Sequence, residues 1–191
     1  MRSFLFCGRG LRSFFIFWSI FIRKHTRHLV HGAIIAALYA VLTHFQNLLL
    51  PNSASMAIQM RLSEALCVLA FFTPAAIPGL SLGCLLFNLT FSAALPLDFL
   101  VGTLATYLAA QGMWLTRNVR FRGFPLLGLL MPAITNALLV GWELTVYIGQ
   151  AFWLNALFVA IGEMAVLLTL GAVLYIAMRS RKLDVRLFGS K

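Results

Sequence analysis

Four polar residues are crowded at the head of an otherwise apolar run. In the stretch IQMRLSEALCVLAFFTPAAIPGL, which begins at Ile58, they are Gln59, Arg61, Ser63 and Glu64. An acid and a base three residues apart on a helix can pair across its surface, or they can line a site for a polar ligand. The whole chain holds only five acids, Glu64, Asp98, Glu143, Glu163 and Asp184, and all but Asp184 lie in or at the mouth of an apolar segment. Asn88, Asn136 and Asn155 sit in similar surroundings, and Trp142 adjoins Glu143. A charged side chain at the centre of a bilayer costs about 2.5–3.5 kcal/mol, so such residues face a bundle interior or a cavity. Carboxylates, amides and indoles together suit a flat, nitrogen-rich heterocycle. A carboxylate accepts two parallel hydrogen bonds from an amidine-like edge, and acids and ring faces favour a cationic side arm. A simple cation or amine fits the same residues nearly as well.

The elements that must position these groups belong to a membrane protein. The chain has 191 residues, 61% of them hydrophobic and 10% charged, with a mean hydropathy of +0.92. A soluble domain is nearer one quarter charged. Six apolar stretches approach the roughly 17–25 residues that a span needs, at 29–46, 62–72, 74–91, 97–116, 124–146 and 153–178. The fold expected is therefore an all-α integral membrane bundle of six transmembrane helices. The second stretch is short, and the Thr73-Pro74 step separates it from the third, because proline disfavours helix in the residue before it. Pro74 and Pro78 suit the opening of a new helix.

The net charge of +10 comes from residues bunched at span ends rather than from a nucleic-acid surface. Of the fifteen Lys and Arg, six lie between Arg2 and Arg27, three in RNVRFR, five from Arg179 onward, and Arg61 stands apart. With six spans, all three clusters fall on one side, which the positive-inside rule makes cytoplasmic. Both termini then face the cytoplasm, and the protein is a multi-pass component of the plasma membrane. Residues 1–28 read as a basic, aromatic extension, interfacial or upstream of the true start. Residues 29–178 form the membrane domain and 179–191 a basic cytoplasmic tail.

On that topology nearly all the intramembrane polar residues fall in the outer half. Glu163 lies ten residues past Trp153, about 15 Å deep at 1.5 Å per residue. Glu143 sits about one turn below the outer surface, with Asn136 seven residues earlier on the same face. Asp98, after Leu-Pro-Leu at a helix start, reads as an N-terminal cap. The candidate binding residues are Gln59, Arg61, Glu64, Asn88, Asn136, Trp142, Glu143, Asn155 and Glu163, the rim of a pocket open to the exterior.

No phosphate-binding loop of the G-x-x-x-x-G-K-[ST] form occurs, so the chain does not itself couple ATP hydrolysis to transport. No catalytic or metal-ligating set is legible, and no cofactor is implied. Cys7, Cys67 and Cys84 are singly placed, and read as small hydrophobes. The first span carries two stripes of small residues, Gly32, Ala36 and Ala40 in one and Ala33 and Ala37 in the other. Such stripes let helices approach closely, within the bundle or against another membrane subunit.

The segments RLSEALCVLAFFTPAAIPGLSLGCLLFN, DFLVGTLATYLAAQ, PAITNALLVGWEL and NALFVAIGE together resemble the QueT-type queuosine-precursor transporter family over residues 29–178. The resemblance implies a six-helix substrate-binding S component of an energy-coupling factor (ECF) transporter, not an enzyme. It implies assembly with a transmembrane coupling subunit and two cytosolic ATPases, with Ala33 and Ala37 on the docking face. The cargo implied is a 7-deazaguanine such as preQ1. A non-transport membrane protein, an intramembrane enzyme or an assembly factor, is the alternative; it would not bind such a ligand one to one.

Overall fold

The structure is a computed structural model that describes residues 7–51, 60–91 and 95–189, with side chains from His25 onward. Helix α1 runs unbroken from Cys7 to Leu49. No end of secondary structure falls at residue 28, although the stretch apolar enough to cross a membrane begins at His25. Gln59 lies outside the described residues.

The stretch expected as a short second span takes a different form. Leu62–Phe71 is a 3₁₀ helix, buried along nearly its whole length. At about 2.0 Å rise per residue, ten residues cover about 20 Å, so the tighter coil reaches further than an α-helix of equal length. It packs against α1, α2, α3, α6 and α7. A helix apolar on every face needs such a central place. The 3₁₀ helix closes at Phe72, ahead of Thr73-Pro74, and α2 follows over Ala76–Thr90.

Around this rod stand α3 (Asp98–Thr116), α4 (Leu126–Leu129), α5 (Met131–Ile148) and α6 (Phe152–Val166). A π-helical turn at Leu167–Gly171 joins α6 to α7 (Ala172–Ser180), and α8 (Leu183–Phe188) ends the described chain. Neighbours follow the chain order, α1 on α2, α2 on α3, α3 on α5 and α5 on α6. Every described element is helical apart from one bridge between Phe121 and Phe124, where Arg122 (φ 51°) and Gly123 (φ 84°) make a tight turn between α3 and α4. Three helical stretches, His25–Leu49, Leu126–Ile148 and Phe152–Ser180, are long and apolar enough to cross a membrane. The 3₁₀ helix and α2 are shorter apolar helices.

The α1–α2 seam explains one of the small-residue stripes. A Cβ on Gly79 would come within 2.7 Å of the Gly32 carbonyl oxygen, and one on Gly83 within 2.8 Å of that of Ala36. Gly32 and Ala36 are buried there. At the basic end, the last described residues fold back onto the bundle. Arg27 donates to the Leu187 carbonyl at 2.9 Å, His31 meets Phe188 edge-on, and Arg179 pairs with Asp184 at 3.3 Å.

Candidate substrate-binding site

At the end of the bundle away from the basic clusters, the 3₁₀ helix starts against a set of polar side chains from α1, α2 and α3. Gln46 of α1 clamps this start. Its Oε1 accepts from the Leu62 amide at 2.7 Å, and its Nε2 donates to the Met60 carbonyl. Thr43 donates to Ser63 at 2.7 Å.

Arg61 and Glu64 do not pair with each other. Arg61 is the residue before the 3₁₀ helix, with an extended backbone (φ −89°, ψ 106°), so its side chain leaves the helix surface and crosses to α3. There its Nη2 donates to Asp98 Oδ2 at 3.2 Å with both side chains buried. Nη1 lies 3.7 Å from the Cys84 sulfur, and the guanidinium stands 6.0 Å from the centre of the Phe87 ring. Asn88 closes the group by donating to the Asp98 carbonyl at 2.8 Å. Gly102 leaves the space, since a Cβ on it would meet Asp98 Oδ1 at 2.7 Å and Asn88 Nδ2 at 2.9 Å. Asp98 therefore serves as a counter-ion rather than as the expected cap, and α3 has no side-chain cap.

Glu64 turns the other way. The Tyr39 hydroxyl donates to its Oε1 at 2.5 Å and the Cys67 thiol to its Oε2 at 3.0 Å. Oε1 thus ties the rod to α1, and Oε2 is held within the rod itself.

Helices α5 and α6 supply the remaining groups. A Cβ on Gly141 would fall 2.9 Å from the Ala156 Cα, and this close approach packs their polar side chains together. Asn155 donates to Thr145 at 3.1 Å. Asn136 stands beside the Glu163 carboxylate. Glu143 is wholly buried, and neither of its oxygens has a partner among the described residues. Asn88 Oδ1, Asp98 Oδ1, Asn155 Oδ1 and Glu163 Oε2 are likewise buried and unpartnered. All six atoms are acceptors. Within the described cluster one cation, Arg61, stands among four buried acids, Asp98, Glu64, Glu143 and Glu163. Leaving a buried acceptor unmade costs about 1–3 kcal/mol; the cluster is short of donors and of positive charge.

The structure thus brings together Arg61, Glu64, Asn88, Asn136, Glu143, Asn155 and Glu163. Trp142 is not among them. It is 51% exposed on the outer face of α5, because one residue along a helix turns the side chain by about 100° from Glu143. The cluster is closed in this conformation, with Glu64, Glu143 and Asn155 shielded from solvent, rather than an open-mouthed pocket. Sequence reasoning passed over Tyr39, Gln46 and Gly102. Gly102, four residues after an intramembrane acid, was the one local signal.

The small stripes separate at the other end of α1. Gly32 and Ala36 are spent on α2, Ala40 is half-buried, and Ala33 and Ala37 are exposed. A groove of about 640 Å³ lies along Gly32 and Ala33 and against Pro74, Pro78 and Leu82.

A family model described as QueT transporter matches residues 29–180. The chain belongs to the QueT transporter family. It is a multi-pass membrane transport protein. Neither the curated proteins nor the solved structures include a detectable match to it. The QueT match contains every described residue of the polar cluster and the exposed Ala33–Ala37 face, and it begins within the membrane-crossing part of α1, four residues after that part starts.

Proposed function

We propose that this QueT protein is the substrate-binding S component of an ATP-driven ECF importer and that its cargo is a queuosine precursor, a 7-deazaguanine such as preQ1. The observation that carries this reading is the one-sided chemistry of the polar cluster, in which all six unpartnered atoms assigned to its residues accept hydrogen bonds. A 7-deazaguanine bearing an aminomethyl arm offers the complement: N1–H and the 2-amino group on one edge, a pyrrole N–H on another, and an ammonium on the arm. Glu143, with both oxygens free, suits the two parallel donors of the guanine edge. Glu163, with Oε2 unpartnered and Asn136 beside it, suits the ammonium, and Asn88, Asp98 and Asn155 suit the remaining donors. Arg61, bound to Asp98, and Glu64, held by Tyr39, form the wall.

In this reading the chain crosses the membrane six times, the 3₁₀ helix and α2 counting as two passes, with both termini and the basic end in the cytoplasm. The exposed Ala33 and Ala37 meet the coupling subunit, and two cytosolic ATPases supply the energy.

Calorimetry on the purified protein with preQ1, preQ0, queuine and guanine tests the proposal. One-to-one binding of preQ1 is expected, and preQ0, whose nitrile replaces the ammonium, should bind more weakly. An absence of binding across the panel would overturn it.

A further inference from the structure

At the basic end of the bundle, a cavity of about 300 Å³ opens between the ends of the 3₁₀ helix, α3 and α7. Phe71 and Phe72 form its floor, and Arg117, Arg120 and Arg179 with Asp184 stand around it. Two of the guanidiniums are set in place by the protein. That of Arg117 lies 3.7 Å from the centre of the Trp114 ring, and its Nη1 donates to the Trp114 carbonyl at 2.7 Å. That of Arg179 lies 5.7 Å from the Phe72 ring and donates to Asp184 at 3.3 Å. A guanidinium carries five N–H donors, and each of these two commits few of them to the chain. Three cations against one carboxylate leave the cavity positive.

Orientation in the membrane requires only that basic residues be present near the ends of the spans. It does not require guanidiniums laid on aromatic rings around a hollow. Planar forks held in this way match the oxygens of a phosphate group. We propose that Arg117, Arg120 and Arg179 form a phosphate-binding site, independent of the polar cluster and of the cargo proposed for it. The surroundings favour the head group of an anionic phospholipid as the source. Leu115, Val119 and Phe121 are exposed beside the arginines, which puts the cavity at the boundary between acyl chains and head groups. Basic pockets between spans at that depth take anionic lipid head groups.

The test compares unfolding temperatures of the full chain in nanodiscs of phosphatidylcholine, of phosphatidylcholine with phosphatidylglycerol, and of phosphatidylcholine with millimolar inorganic phosphate in the buffer. Phosphatidylglycerol should raise the midpoint, Arg117→Gln and Arg179→Gln should each remove most of that rise, and Arg181→Gln, outside the cavity, should keep it. Native mass spectrometry should find retained phosphatidylglycerol reduced at least fivefold in the two cavity variants. If inorganic phosphate alone gives the same Arg117-dependent rise, the site is filled from solution rather than from lipid. If Arg117→Gln already lowers the midpoint in phosphatidylcholine, the exposed Arg179 carries the comparison. Equal rises in parent and cavity variants, or an equal loss in Arg181→Gln, would overturn the site and leave only general surface charge.

Discussion

Asp98 and Arg61, from separate elements, meet at 3.2 Å in a gap kept open by the missing side chain of Gly102. Gly102→Ala should therefore push into Asp98 and Asn88, with an overpacking cost of about 1–3 kcal/mol. Thermal unfolding in detergent reads this as a lowered midpoint. An unchanged midpoint would mean that the group can shift aside freely.

The ion pair itself predicts an asymmetric cycle. Asp98→Asn leaves a buried guanidinium without its counter-ion, and about 3–5 kcal/mol of stability should go. Replacing both partners, Arg61→Met with Asp98→Leu, should lose less than the single change, since no buried charge is then left alone. Unfolding of Arg61→Met, Asp98→Leu and the double variant measures the coupling.

For the acids with free oxygens, the readout is affinity. Glu143→Gln and Glu163→Gln keep size and remove charge. Each should weaken preQ1 binding by about 30-fold or more, the equivalent of about 2–5 kcal/mol for a truncated charged contact in a desolvated site. One of the two should also erase the preference for preQ1 over an uncharged analogue, because only one acid can face the side arm. Parent-like binding by both would make these acids structural.

The two stripes of α1 should respond differently to bulk. Ala33→Leu with Ala37→Leu, on the exposed face, should abolish uptake in cells while leaving ligand binding by the purified protein intact. Ala36→Leu, whose side chain is buried against α2, should instead lower yield and thermal midpoint. Uptake that survives the first pair of changes would remove the docking role.

A reporter fused after Lys191 should read as cytoplasmic. An exterior reading would invert the proposed orientation and with it the direction of transport.

Much of this was legible in the chain. Apolar runs, Thr73-Pro74 and Pro78 marked the segments, and intramembrane polarity marked Asn88, Asn136, Glu143, Asn155 and Glu163, all buried in the structure. Periodicity was silent on the form of Leu62–Phe71, because a segment apolar on all sides has no face to betray its pitch. The partner of Arg61 was hidden for another reason: it depends on which helix crosses the rod at that height. Trp142 adjoins Glu143 in sequence yet faces away from it, since neighbours in sequence point to different sides of a helix. The two small-residue stripes look alike as sequence, and only the position of α2 decides which one remains free.

The π-helical turn at Leu167–Gly171 sits between two halves of one long helix that face different demands. Above it, Glu163 must point to the polar cluster. Below it, Tyr175 must reach Phe71, Phe72 and Phe124, whose rings lie 5.3–5.7 Å from its own. A π turn holds one residue more than the α-helical ladder needs, so it acts as a phase shifter between the two halves. Deleting one residue there would restore an even helix and rotate everything beyond by about 100°, swinging Tyr175 out of its aromatic socket while Glu163 stayed where it was. The site and the base of the bundle are thus set in separate registers along a single helix.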